Sequence, residues 1–131
     1  MALYLAVFMT ALMVMAGLVV DGGAALAARG RAEDLAQQAA RAGADALAPV
    51  SLRTANPDGL AIDPVAAERA ARAVLDAGGA SGAVTIAGLD VTVTARVPRH
   101  AAVLSAVGIT DLSGEATATA TVLHGAAVED R

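Results

Sequence analysis

The sequence predicts an α+β chain: an N-terminal transmembrane helix continues into a long Ala-rich helix, and a small antiparallel sheet packs on helices after it. Three observations carry this. Met1–Val20 has no charged side chain. Ala24–Leu47 and the stretch after Asp63-Pro64 are helical in composition and spacing. From Ala83 onward the apolar period changes to two. The expected boundaries are 1–20 for the spanning helix, 21–47 for the Ala-rich helix and 48–131 for a small α+β domain.

The first segment reads MALYLAVFMTALMVMAGLVV, with Thr10 and the Tyr4 hydroxyl as its polar groups. Twenty helical residues span about 30 Å, the thickness of a bilayer's hydrocarbon core. Nine Leu, Val and Phe side chains contribute on the order of −3 to −5 kcal/mol to insertion. Asp21 would cost about 3 kcal/mol at the bilayer centre, so it marks the membrane exit. Ala2, Ala6 and Thr10, with Gly17 further along, form a small-residue face suited to a partner helix. Two other readings compete. Ala25-Leu26-Ala27 has the small-x-small form of a signal-peptidase site, although the run lacks a basic n-region and exceeds the usual h-region. A buried helix in a soluble protein would need a domain able to wrap a helix that is apolar all round. Arg29 and Arg31 follow the run and no basic residue precedes it, so a positive-inside count places the C-terminal part in the cytoplasm.

Asp21-Gly22-Gly23 reads as a hinge with Asp21 capping a new helix, or as a weakened stretch of one continuous helix. In the Ala-rich helix, Leu26, Leu35, Ala39, Ala42 and Ala46 share a narrow apolar face. Pro49 to Ile62 contains Asn56-Pro57 and Asp58-Gly59 and reads as a loop. Asp63-Pro64 then caps a helix that Gly78-Gly79 stops. Ala83–Ile86 reads as a short strand, and Gly88 as a tight connection. In Leu89–Val97 the residues Val91, Val93, Ala95 and Val97 face the core, while Thr92, Thr94 and Arg96 face out. Pro98 ends that strand, His100–Val107 forms a short helix closed by Gly108, and Glu115–Leu123 alternates Ala inside with Thr outside.

Composition limits the chemistry. Tyr4 and Phe8 are the only aromatic residues, so the domain after them builds its core from Val, Leu, Ile and Ala. A core without aromatics predicts marginal stability, or dependence on a partner or the membrane. The nine basic residues are all Arg and are dispersed in a chain of net charge −4, which argues against nucleic-acid binding. Absence of cysteine excludes disulfides and thiolate chemistry. His100, His124, Asp111 and Glu115 match no known ligand spacing. Ser51, Ser81, Ser105 and Ser113 lack a nucleophile-elbow context. Gly78-Gly79 follows a helix, whereas a phosphate loop leads into one. No catalysis, cofactor, metal or small-molecule substrate is expected.

AGLVVDGGAALAARGRAEDLAQQAARAGADAL, Ala16 to Leu47, resembles the N-terminal region of TadE/TadG-like proteins of the Tad (tight adherence, Flp-type) pilus system. Gly17, Asp21, Gly22, Gly23, Arg31, Asp34, Ala39 and Ala40 carry the likeness. VTVTARVP, the short apolar helix and the Ala/Thr strand are similar to that family's C-terminal portion. The resemblance implies a pilin-like fold. It implies a membrane-anchored minor pilin or pilus-assembly accessory protein of the short TadE-like form. Its domain would lie outside the cytoplasm, against the positive-inside count. Its partners would be assembly-platform proteins and other pilins, met through the N-terminal helix. Pilin-like members often carry a basic leader and a glutamate at the fifth mature position. Leu5 departs from that pattern, so the sequence is either given without its leader or not processed as a pilin. With Asp21 as the first acidic residue, a low-copy subunit is expected rather than a homopolymer. A membrane-tethered binding or regulatory module of another envelope complex is the alternative.

Overall fold

One helix, α1, runs from Ala2 to Ala44 without a break, about 65 Å at the standard rise. The computed structural model describes residues 1–46, 61–103, 105, 108 and 110–122. After α1 come α2 (Pro64–Ala77), β1 (Ser81–Ala87), β2 (Asp90–His100) and β3 (Asp111–Thr121). The α+β class is as the sequence predicts: a long apolar N-terminal helix, a second helix and a three-stranded antiparallel sheet.

Nothing in α1 removes a backbone donor, since it contains no proline. Gly22 and Gly23 weaken the helix locally but leave its hydrogen-bond ladder intact. The helix therefore continues through Asp21-Gly22-Gly23. No break marks a hinge there, and Asp21 caps no new helix. The buried face runs through Ala28, Ala32, Leu35, Ala36, Ala39, Ala40, Gly43 and Ala44. These steps of three and four follow the 3.6-residue period. Leu26, expected on this face, is 74% exposed. It lies two residues before Ala28, about 200° around the helix and so on the opposite side.

Asp63 begins α2 as expected, with its side chain accepting hydrogen bonds from the backbone N–H groups of Val65 and Ala66 at 3.0 and 3.1 Å. Pro64 occupies the first turn, and Gly79 takes φ +67° just past the helix end. Ala67, Ala71 and Leu75 are buried. The loop expected over Pro49–Ile62 falls largely outside the described residues. Its last residue, Ile62, is buried in the core, and the Asp63 N–H donates to the Ala46 carbonyl at 3.0 Å. That bond ties the end of α1 to the start of α2.

The sheet order is β1-β2-β3, and Ala87 pairs with Asp90 around a two-residue turn at Gly88-Leu89. Val91, Val93, Ala95 and Val97 face α1 and α2 and are all buried. Ala116, Ala118, Ala120 and Val122 pack against the same core from β3 and beyond its end. The opposite face carries cross-strand pairs. Thr92 bonds Thr119 at 2.8 Å, Thr94 bonds Thr117 at 2.9 Å, and Arg96 meets Glu115 at 2.6 Å. Such pairs link neighbouring strands at every second residue.

After Val97 the end of β2 and the start of the short helix differ from expectation. Pro98 does not end β2, which pairs with β3 as far as His100↔Asp111. The reason is that β1 stops at Ser81↔Arg96. Beyond it β2 has a neighbour on one side only, where a missing N–H can be tolerated. Of the short helix expected over His100–Val107, Ser105 is in a 3₁₀ turn, with its carbonyl accepting from the Gly108 N–H at 3.1 Å and Gly108 at φ +90°, but the helix does not begin at His100. His100 is still in the strand, and Ala102 and Val103 form a bend. Leu104, Ala106 and Val107 lie outside the described residues.

The core has almost no bulk, so elements approach closely. A Cβ on Gly114 of β3 would fall on the backbone of Ala28 and Arg29, and one on Gly43 would meet Val91 Cγ1 at 2.8 Å. The close approach of β3 to α1 exists because position 114 has no side chain.

Candidate functional site

The two halves of α1 differ in what covers them. From Ala2 to Ala16 every residue is exposed, and among Leu3, Tyr4, Leu5, Val7, Phe8, Met9, Leu12 and Met13 none is less than 46% exposed. From Ala28 onward the helix is the central support of the core. Among the described residues an apolar surface of this length has no counterpart elsewhere, and α1 is long and apolar enough to cross a membrane.

Ala2 and Ala6 lie one turn apart, with Thr10 a further turn on, all exposed. The Thr10 hydroxyl donates to the Ala6 carbonyl at 2.8 Å. Its polar group is thus satisfied within the helix, as an apolar environment demands. Ala6, Val7, Thr10, Ala11, Val14 and Met15 line a shallow apolar concavity on this face. Gly17 is placed differently. It is buried, and a Cβ there would meet Val103 Cγ1 at 2.5 Å. The surface above Gly17 is filled by the chain's own Val103 side chain.

Asp21 lies one turn beyond Gly17 and is 1% exposed. Its Oδ1 accepts from the Ala102 N–H at 3.0 Å, and its Oδ2 accepts from the Val103 N–H at 3.0 Å. A carboxylate held by backbone donors forms charge-assisted hydrogen bonds, roughly twice as strong as neutral ones. Asp21 therefore fastens the β2–β3 connection to the helix. Gly22 and Gly23 lie beside this point with open space where a Cβ would be. Sequence reasoning gave Asp21 the role of a boundary and missed its partners. They are main-chain groups some 81 residues away, and no local pattern announces them.

Among the described residues, those considered for chemistry do not assemble. His100 Nδ1 is 3.4 Å from Asp111 Oδ1, with both side chains exposed. Glu115 is committed to Arg96, and His124 lies outside the described residues. Among the described residues no group of three or more His, Cys, Asp or Glu could hold a metal ion. Ser81, Ser105 and Ser113 are exposed, and Ser51 lies outside the described residues.

What this chain presents is thus a bare apolar helix joined rigidly to a small domain. Residues 1–46 match the Tad family model, described as "Putative Flp pilus-assembly TadE/G-like". The N-terminal helix is TadE/G-like. The matched stretch ends two residues after α1 does, so it takes in the whole helix, both bare and packed halves. The TadE/G-like resemblance read from Ala16–Leu47 is borne out there. The likeness read from VTVTARVP and the Ala/Thr strand lies beyond the match. No curated protein and no solved structure matches the chain. The match relates this helix, about a third of the chain, to a family described as Flp pilus-assembly, and the apolar half of the helix fits membrane anchoring.

Proposed function

We propose that the protein is a non-catalytic minor pilin or assembly accessory factor of a Tad/Flp-type pilus. Residues 1–20 cross the membrane once, Asp21 marks the exit, and the domain lies outside the cytoplasm. The observation that carries this is the division of one TadE/G-like helix into a bare apolar half and a half that supports the fold. Pilin-like subunits need that division, because the same helix must leave the bilayer and enter an apolar assembly while its domain stays folded. Ala2, Ala6 and Thr10 supply a face on which a platform protein or another pilin's helix can pack closely. Neither a nucleic acid nor a small-molecule substrate is part of this role.

A low-copy role follows from the charges. Residues 1–20 contain no carboxylate, and Asp21 is engaged by Ala102 and Val103 of its own chain. No acidic group is therefore placed along the span to pair with a neighbour in a repeating helical core, where low dielectric would make such a pair strong.

The test is a strain lacking this chain but retaining the pilus ATPase, platform and major pilin. Piliation seen by electron microscopy should fall and be restored by the wild-type chain. Ala6→Phe should stay in carbonate-washed membranes but fail to restore it. Full piliation without the chain, or long filaments made of this chain alone, would refute the proposal. A soluble form starting at Ala28 would establish signal-peptide cleavage instead.

A further inference from the structure

The Ala102–Val103 bend shares its level along α1 with residues that the proposed anchor places in lipid. Val103 stands over Gly17, one turn inside the apolar run from Asp21. At the same level on other sides of the helix, Leu18, Val19 and Val20 are bare. Val103 itself is 38% exposed, so part of its side chain is covered by Gly17 and the rest faces outward. The depth is fixed by Asp21, whose carboxylate holds the Ala102 and Val103 N–H groups. Those two donors would otherwise need water, and hydrocarbon offers none. Sequence supports the same placement: AAVLSAVGI, from Ala101 to Ile109, carries no charge, whereas Arg99 and His100 precede it and Asp111 follows Thr110.

We infer that the Ala102–Val103 bend after β2 is a second membrane contact, seated in the outer edge of the bilayer beside the spanning helix. Its partner is lipid: acyl chains against Val103 and headgroups at the level of Arg99 and His100. Gly17 makes room for it, and Asp21 sets its depth. The domain is then held to the bilayer at two points, the span and this bend. The inference rests on the proposal that residues 1–20 span the membrane.

Because the chain has no cysteine, single substitutions can each carry one fluorescent label. The full chain is reconstituted in phosphatidylcholine/phosphatidylglycerol vesicles with an environment-sensitive dye at Ser105→Cys, Met9→Cys or Thr85→Cys. Ser105 and Thr85 are exposed, so the label should not disturb the fold, and circular dichroism checks this. Quenching by two lipids, one spin-labelled near the glycerol backbone to report residue 105 and one near the acyl-chain end to report residue 9, is compared with quenching by aqueous iodide. The expected result is a blue-shifted, lipid-quenched, iodide-shielded label at residues 9 and 105, with the opposite at 85. Lipid quenching at 9 but not at 105 would overturn the second contact and leave the anchor standing. Shielding of 105 from iodide without lipid quenching would mean that protein covers it, and would overturn the inference too. No lipid quenching at 9 would remove the anchor itself and this inference with it.

Discussion

Gly114→Ala adds a single methyl group, yet it should be among the most damaging changes to the fold. The added Cβ would fall on the Ala28 carbonyl group and the Arg29 backbone nitrogen. These are main-chain atoms inside a continuous helix, so no side-chain rotation relieves the overlap. To restore an ordinary contact, α1 and β3 must separate by about 1 Å, and a gap of that size forfeits roughly a quarter to a half of the dispersion energy of the pairs it opens. Overpacking of this kind costs about 1–3 kcal/mol. The backbone location puts Gly114→Ala at the upper end, because Ala116, Ala118 and Ala120 of the same strand are pulled from the core along with it. For a domain of this size each kcal/mol lowers the melting temperature by about 4–8 °C, so a fall of roughly 10–20 °C is expected. Thermal unfolding of the full chain in detergent micelles, followed by circular dichroism, measures it. An unchanged melting temperature would show that α1 does not lie against β3 at this point.

Other changes have distinct expected signs. Val93→Asp buries an unpaired carboxylate at a position with no exposure and should cost several kcal/mol. Thr92→Asp, on the outer face, should be mild, and similar melts for the two would refute the register. Asp63→Ala removes the side-chain acceptor for the Val65 and Ala66 N–H groups; it should cost about 1 kcal/mol, read as a lower urea midpoint at constant slope. Gly22→Ala meets nothing within 4 Å and lies inside a helix, so it should raise stability by about 0.5–1 kcal/mol. A lower melting temperature for that variant would indicate a bend at Gly22 in solution.

Legibility in the sequence followed the strength of the local signal. The sheet face was readable because Val91, Val93, Ala95 and Val97 alternate with polar residues, and only one register buries them all. The bounds of α2 were readable because Asp63-Pro64 and Gly78-Gly79 are chemically suited to helix ends. The buried face of α1 was readable in part: Leu35 and Ala39 are buried but Leu26 is exposed, because alanine occupies nearly every side of that helix and contrast between faces is weak. The continuation of β2 past Pro98 depended on where β1 stops, which is information from another strand. At the junction, Gly17 and Asp21 were singled out as a packing position and a membrane boundary. Their partners Ala102 and Val103 were missed, because the contact joins residues far apart in the chain through backbone donors that every residue type possesses.

The unbroken course of α1 has a mechanical consequence. A flexible joint at Gly22-Gly23 would let the domain swivel independently of its anchor. A single rod, held at one end by apolar surroundings and packed at the other against the β2 and β3 face of the sheet, transmits tilt and axial load instead. If the anchored end leans, the threonine-lined outer surface of the sheet leans by the same angle. If that end is drawn along its axis, the pull reaches the core through Ala28, Ala32 and Leu35 with no slack to take up.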